Sequence, residues 1–163
     1  VSHGKTAIGW NEIGEAQLLP GTIVQQWAGA GYQEAKRQGA KIILSPANKV
    51  YLDMKYDAST PLGLDWAGLI SVKDSYNWEP GSYMEGLEES DILGLEAPLW
   101  TETVLTMQDI EYMVFPRIIG IAELAWSPRG QNWEEYRQRL AAHGKRMEVM
   151  GIHFFQSPDV DWE

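Results

Sequence analysis

The segment Thr22–Ser45 constrains the fold more than any other part of this chain. TIVQQW (Thr22–Trp27) is a short apolar run introduced by Pro20-Gly21. Gln33–Gln38 is built of helix formers and stops at Gly39, and KIILS (Lys41–Ser45) is a second apolar run closed by Pro46. Strand, helix and strand in so short a span make a crossover, and a crossover joins parallel strands. TAIGW (Thr6–Trp10) supplies a further strand candidate, and Ile92–Leu99 another that is weakened by Gly94 and Pro98. Four strands alternating with helices predict an α/β fold with a parallel sheet, either doubly wound or part of a (β/α)8 barrel. Trp10, Trp27, Ser45 and Trp100 stand at the C-terminal ends of these predicted strands, the end that carries ligands in both architectures.

The rest of the chain reads as follows. Asn48–Ser90 shows no sustained period and is rich in aromatics, Asp, Gly and Pro, which predicts a long functional loop before the last strand. Thr106–Asp109 opens a helix reaching about Ala125, which Pro116 should kink or split. Trp133–Met150 is the clearest helix, with a buried stripe through Tyr136, Leu140, His143 or Gly144, Met147 and Met150. No internal repeat or linker divides the chain, and 163 residues suit a single unit.

Charge and composition exclude several functions. The net charge is −10, which argues against a nucleic-acid partner, whose phosphates need a basic face. No apolar run is long enough for a membrane span, and Val1–Lys5 lacks a leader pattern. The chain begins without Met, so the true start is expected elsewhere. With no cysteine, a disulfide scaffold and a thiol nucleophile are excluded, while the compartment stays open between secreted and cytoplasmic bacterial settings. His3, His143 and His153 are isolated, so neither a metal nor another cofactor is expected. Ser45 lacks the glycine elbow of a serine hydrolase, and Gly29-Ala30-Gly31 lacks the third glycine of a dinucleotide loop.

Aromatics paired with carboxylates carry the strongest chemical signal. Tyr51-Leu52-Asp53, read as extended, puts an aromatic and an acceptor on one side. Trp100-Thr101-Glu102 repeats the arrangement. An aromatic plate beside an acceptor suits a pyranose, whose ring face packs on the plate while its hydroxyls donate to the acid. The competing reading is core packing of tryptophan with surface acids. Glu12, beside Trp10, is either a supporting group for the site or structural. Glu79, Glu85, Glu96 and Glu123 read as solvated or structural, and Trp126, Trp133 and Trp162 as packing.

IGWNEI (Ile8–Ile13), VQQW (Val24–Trp27), IILSPANKVYLDM (Ile42–Met54), PLGLDWAG (Pro61–Gly68), GLEAPLWTE (Gly94–Glu102) and FPRIIGIAELAWSP (Phe115–Pro128) follow one another in this order. Together they resemble the family 20 β-N-acetylhexosaminidases across nearly the whole chain. The resemblance implies a (β/α)8 barrel that removes terminal β-linked N-acetylglucosamine or N-acetylgalactosamine. It further implies a substrate-assisted retaining mechanism, in which the acetamido oxygen attacks the anomeric carbon. By resemblance, Trp10, Trp27 and Trp100 enclose the acetamido group and the ring. Tyr51 holds the acetamido oxygen, Asp53 and Glu102 accept outer hydroxyls, and Trp66 stands at the mouth. Asn11 replaces an Asp common in the family.

The family's catalytic Asp-Glu dipeptide does not occur in this chain, whose adjacent acid pairs are Glu88-Glu89 and Glu134-Glu135. TAIGW matches the fifth barrel strand, so the chain is expected to be the C-terminal half of the barrel, strands five to eight, with the catalytic pair upstream of Val1. The expected partners are N-acetylhexosamine-containing glycans and the N-terminal half of the same barrel. Open sheet edges make self-association of the fragment a further expectation, and the fragment alone is expected to be inactive. The alternative function is a non-catalytic carbohydrate-binding or interaction domain derived from the same barrel.

Overall fold

The computed structural model describes residues 3–162; Val1, where the leader reading began, Ser2 and Glu163 lie outside it. Four strands form one parallel sheet in the order β1-β2-β3-β4: β1 (Ile8–Trp10), β2 (Ile23–Gln26), β3 (Lys41–Leu44) and β4 (Ile92–Leu95). The α/β class and the parallel pairing follow the sequence reading. The fourth strand is shorter than expected. It ends before Pro98, which has no N–H for a ladder, and its register against β3 skips Leu93, between the Ile42–Ile92 and Ile43–Gly94 pairs. Trp100 therefore stands five residues beyond the strand rather than at its end.

The chain divides into two compact units. The first comprises residues 1–47 and 79–96 and holds the whole sheet. Between β2 and β3 runs α1 (Gly31–Arg37), which buries Tyr32 and Ala35. Val24, Ile42 and Leu44 are fully buried on the sheet. Removing each from water contributes about 1.5–3 kcal/mol. A 3-10 turn, Asn11–Glu15, follows β1 and packs closely on α1. That approach demands glycine, because a Cβ on Gly31 would lie 2.7 Å from the Asn11 carbonyl oxygen.

The second unit comprises residues 48–78 and 97–163. A single helical turn, α2 (Ala47–Val50), leads into it from β3. The long stretch read as loop contains α3 (Val72–Tyr76), started by a Ser71–Asp74 capping box, and in the first unit α4 (Pro80–Tyr83). The predicted helix from Thr106 opens with a reciprocal Thr106–Asp109 box and is split at Pro116 into α5 (Met107–Val114) and α6 (Arg117–Trp126). The last helix, α7 (Trp133–Val149), buries Trp133, Tyr136, Leu140, Gly144 and Met147. Gly144, not His143, occupies the stripe, where Trp162 leaves no room for a Cβ. Met150 lies past the helix end and is 69% exposed, so it is not part of the stripe. Trp126 is also corrected: it is 90% exposed rather than packed. Among the described residues, no helix is long and apolar enough to cross a membrane.

Candidate functional site

Within the first unit, Trp10 closes β1 and Trp27 follows β2. The turn after β1 fixes Trp27 twice. Asn11 Oδ1 accepts from the Trp27 peptide N–H at 3.3 Å, and Glu12 Oε1 accepts from its indole Nε1 at 2.9 Å. Glu12 thus holds the Trp27 indole in place. Ser45 and Glu96 follow β3 and β4, and Gln25 on β2 donates to both Ser45 Oγ and Glu96 Oε2. Burial raises the Glu96 pKa, while the Ser45 hydroxyl opposes that rise.

The second unit gathers Tyr51, Asp53, Trp66, Trp100 and Glu102. Tyr51-Leu52-Asp53 is not extended: it forms a turn in which Met54 N–H returns to Tyr51 O at 3.3 Å. The turn is stitched to the 97–104 segment. Leu52 N–H donates to Pro98 O at 2.9 Å, and Gly63 N–H donates to Thr103 Oγ1 at 2.8 Å. Leu64 N–H meets Asp53 O at 2.8 Å, an approach possible because Gly63 has no Cβ and adopts φ +91°. These bonds bring the two aromatic–acid pairs together. Tyr51 meets Trp66 edge to face at 5.9 Å between ring centres, and Trp100 at 6.4 Å. Trp66 and Trp100 keep 55% and 42% of their surface exposed.

Asp53 is the buried acid of this group. Both of its carboxylate oxygens are shielded and find no hydrogen-bond partner among the described residues. Burial raises its pKa and the nearby Glu102 adds to the rise. The peptide N–H groups of Asp53 and Trp100 oppose it, and Arg117 opposes it by its charge. An unpaired buried acceptor is costly, by about 1–3 kcal/mol, and is ready for a donor supplied by a ligand.

Arg117 escaped the sequence reading. It is 1% exposed and sits on the buried stripe of α6 with Gly120, Ile121 and Leu124. A lone arginine at the i position of an i, i+3, i+4, i+7 apolar stripe was the signal that could have found it. Among the described residues, no group of three or more His, Cys, Asp or Glu is placed to hold a metal.

Residues 1–129 match the family model of Glycosyl hydrolase family 20, catalytic domain. The chain belongs to glycosyl hydrolase family 20. It is 40% identical over 164 residues to a Cellulomonas fimi beta-N-acetylhexosaminidase, covering 98% of this chain and 33% of that protein. The Streptomyces plicatus N-acetyl-beta-hexosaminidase, solved in complex with thio-NAglucal, matches with a TM-score of 0.95 at 44% identity, covering 99% of this chain and 34% of that one. A family 20 exo beta-N-acetylglucosaminidase from Vibrio harveyi, in complex with N-acetylglucosamine, matches with a TM-score of 0.84 at 29% identity, covering 95% of this chain and 25% of that one. The family 20 chain thus spans between a quarter and about a third of the length of these relatives.

Proposed function

We propose that this chain supplies the sugar-binding part of an exo-β-N-acetylhexosaminidase and is the C-terminal half, strands five to eight, of its (β/α)8 barrel. The observation that carries the reading is the Asp53 carboxylate, buried and without a hydrogen-bond partner among the described residues, in a turn whose Tyr51 meets Trp66 edge to face and Trp100 at a tilt. In this reading Asp53 and Glu102 accept hydroxyls of the terminal sugar. Trp10, Trp27 and Trp100 box the acetamido methyl and support the ring, and Trp66 lies at the mouth. The Tyr51 hydroxyl donates to the acetamido oxygen and aims it at the anomeric carbon, a gain in proximity and orientation.

The chemistry then proceeds in two steps. The acetamido oxygen bonds to the anomeric carbon as the glycosidic C–O bond breaks, and the leaving oxygen takes a proton from the family's catalytic Glu. Water, deprotonated by that same Glu, opens the oxazolinium and restores the acetamido group. The Asp-Glu pair comes from the remainder of the parent protein, and the 163-residue chain alone is inactive.

The test is hydrolysis of a chromogenic β-N-acetylglucosaminide by the parent polypeptide beside its Tyr51→Phe variant and this chain alone. Activity in the parent, a loss of about 100-fold in kcat for Tyr51→Phe, and none in the isolated chain are expected. The absence of an Asp-Glu dipeptide favours a second reading, a non-catalytic sugar-binding domain. A folded parent that binds N-acetylglucosamine without hydrolysing the glycoside would select it.

A further inference from the structure

Arg117 is a buried cation satisfied by carbonyl oxygens. Nη1 donates to Met54 O at 2.8 Å and Ile70 O at 3.2 Å, and Nη2 donates to Leu52 O at 2.6 Å and Met113 O at 2.9 Å. The guanidinium lies 3.9 Å from the centre of the Tyr56 ring, and its Nε has no partner among the described residues. Two of the four carbonyls belong to Leu52 and Met54, the residues on either side of Asp53. Each branch of the fork therefore grips one flank of the Asp53 turn. Burying a charge costs several kcal/mol, and a well-packed apolar side chain would often be as stable. Fold stability alone thus gives a weak reason for arginine at this position.

We propose that Arg117 is a positioning residue of the sugar site, its fork clamping both flanks of the Asp53 turn and its cation supporting the carboxylate that accepts sugar hydroxyls. The inference rests on the sugar-site reading above. Its physical content is geometric and electrostatic. A planar fork fixes two peptide oxygens at once, which an ammonium on a flexible stem cannot do. The charged groups acting on Asp53 are Glu102, which disfavours its ionisation, and Arg117, which favours it; Tyr56 lies between Arg117 and the end of α5.

The test uses the parent protein with Arg117→Lys and Arg117→Gln. Binding of N-acetylglucosamine is followed by calorimetry from about pH 4 to pH 8, and kcat and KM are measured on the chromogenic glycoside. Both variants lose the fork, so the expected KM rises about 10-fold while kcat changes less than about 3-fold, the pattern of lost uniform binding. Only Arg117→Gln removes the charge, so only there is sugar binding lost at a higher pH than in the parent, by about half a unit or more. Folded variants with parental KM and parental pH dependence overturn the inference. If neither variant folds, Tyr56→Phe decides. It removes the phenol oxygen beside the guanidinium and leaves the charge in place, so the expected KM rises about 2-fold with kcat unchanged. A lower Tm with KM unchanged overturns the inference. A parent that neither binds nor cleaves the sugar overturns the sugar-site reading and takes this inference with it. An active parent with indifferent variants overturns the inference alone.

Discussion

The two compact units hold their aromatic and acidic side chains by different means. In the sheet unit, Trp10, Trp27 and Ser45 follow directly from strands, so a ladder of parallel hydrogen bonds sets their spacing. In the other unit, Tyr51, Asp53 and Trp66 sit at turns and Trp100 on irregular chain. Single contacts aim them: the bond from Leu52 to Pro98, the bond from Gly63 to Thr103, and the Arg117 fork. A ladder spreads its load over many bonds. A stitched turn concentrates it in a few residues, each harder to replace.

That contrast can be broken at chosen positions. Gly63→Ala should have the largest effect. The residue has φ +91°, and a Cβ would lie 2.7 Å from the Asp53 carbonyl oxygen. A loss of about 3 kcal/mol in urea unfolding is expected, with sugar binding weakened in parallel. Gly31→Ala is the counterpart in the sheet unit. Its Cβ would lie 2.7 Å from the Asn11 carbonyl oxygen without a left-handed φ, so about 2 kcal/mol is expected by the same measurement. A cost at Gly31 equal to or above that at Gly63 would remove the distinction. Thr106→Ala breaks the capping box of α5, far smaller in scale, and should lower stability by about 1 kcal/mol without altering KM.

The smallest effect has the opposite sign. Asp53 has its pKa raised in the folded protein, so between its ordinary and raised values the native state holds more protons than the unfolded one. Stability then falls as pH rises through that window, and the deficit persists above it. Asp53→Asn carries no charge at any pH. The variant should melt slightly above the parent at neutral pH, with the gap closing below about pH 4, while sugar affinity drops. Identical melting of the two proteins at neutral pH would show that the turn already compensates the buried charge.

How much was legible in the sequence follows the same division. Apolar runs bounded by Gly and Pro located the strands of the parallel sheet, because strand burial leaves a local pattern. The Thr106 box and the break at Pro116 were equally local. The turn at Tyr51–Asp53 was misread as extended, since an alternation of aromatic and acid is shared by strands and turns. The end of β4 was placed too late, because a strand's last ladder bond depends on its neighbour β3. Arg117 went unnoticed because its four carbonyl partners come from residues 52, 54, 70 and 113, which no local window joins. Family resemblance supplied what local chemistry could not, the roles offered for Tyr51, Asp53 and Glu102.

The stitches of the Asp53 turn have a consequence for the order of events during folding. They link residues 40 apart at Gly63–Thr103 and 63 and 65 apart at Arg117, whereas Gln25 and Ser45 on neighbouring strands are only 20 apart. Closing a longer loop costs more chain entropy before any contact rewards it. The β2–α1–β3 crossover can therefore assemble early, while the turn carrying Asp53 must wait for α6 to deliver Arg117. A polypeptide emerging from synthesis acquires its crossover scaffold well before the Asp53 turn is locked in place.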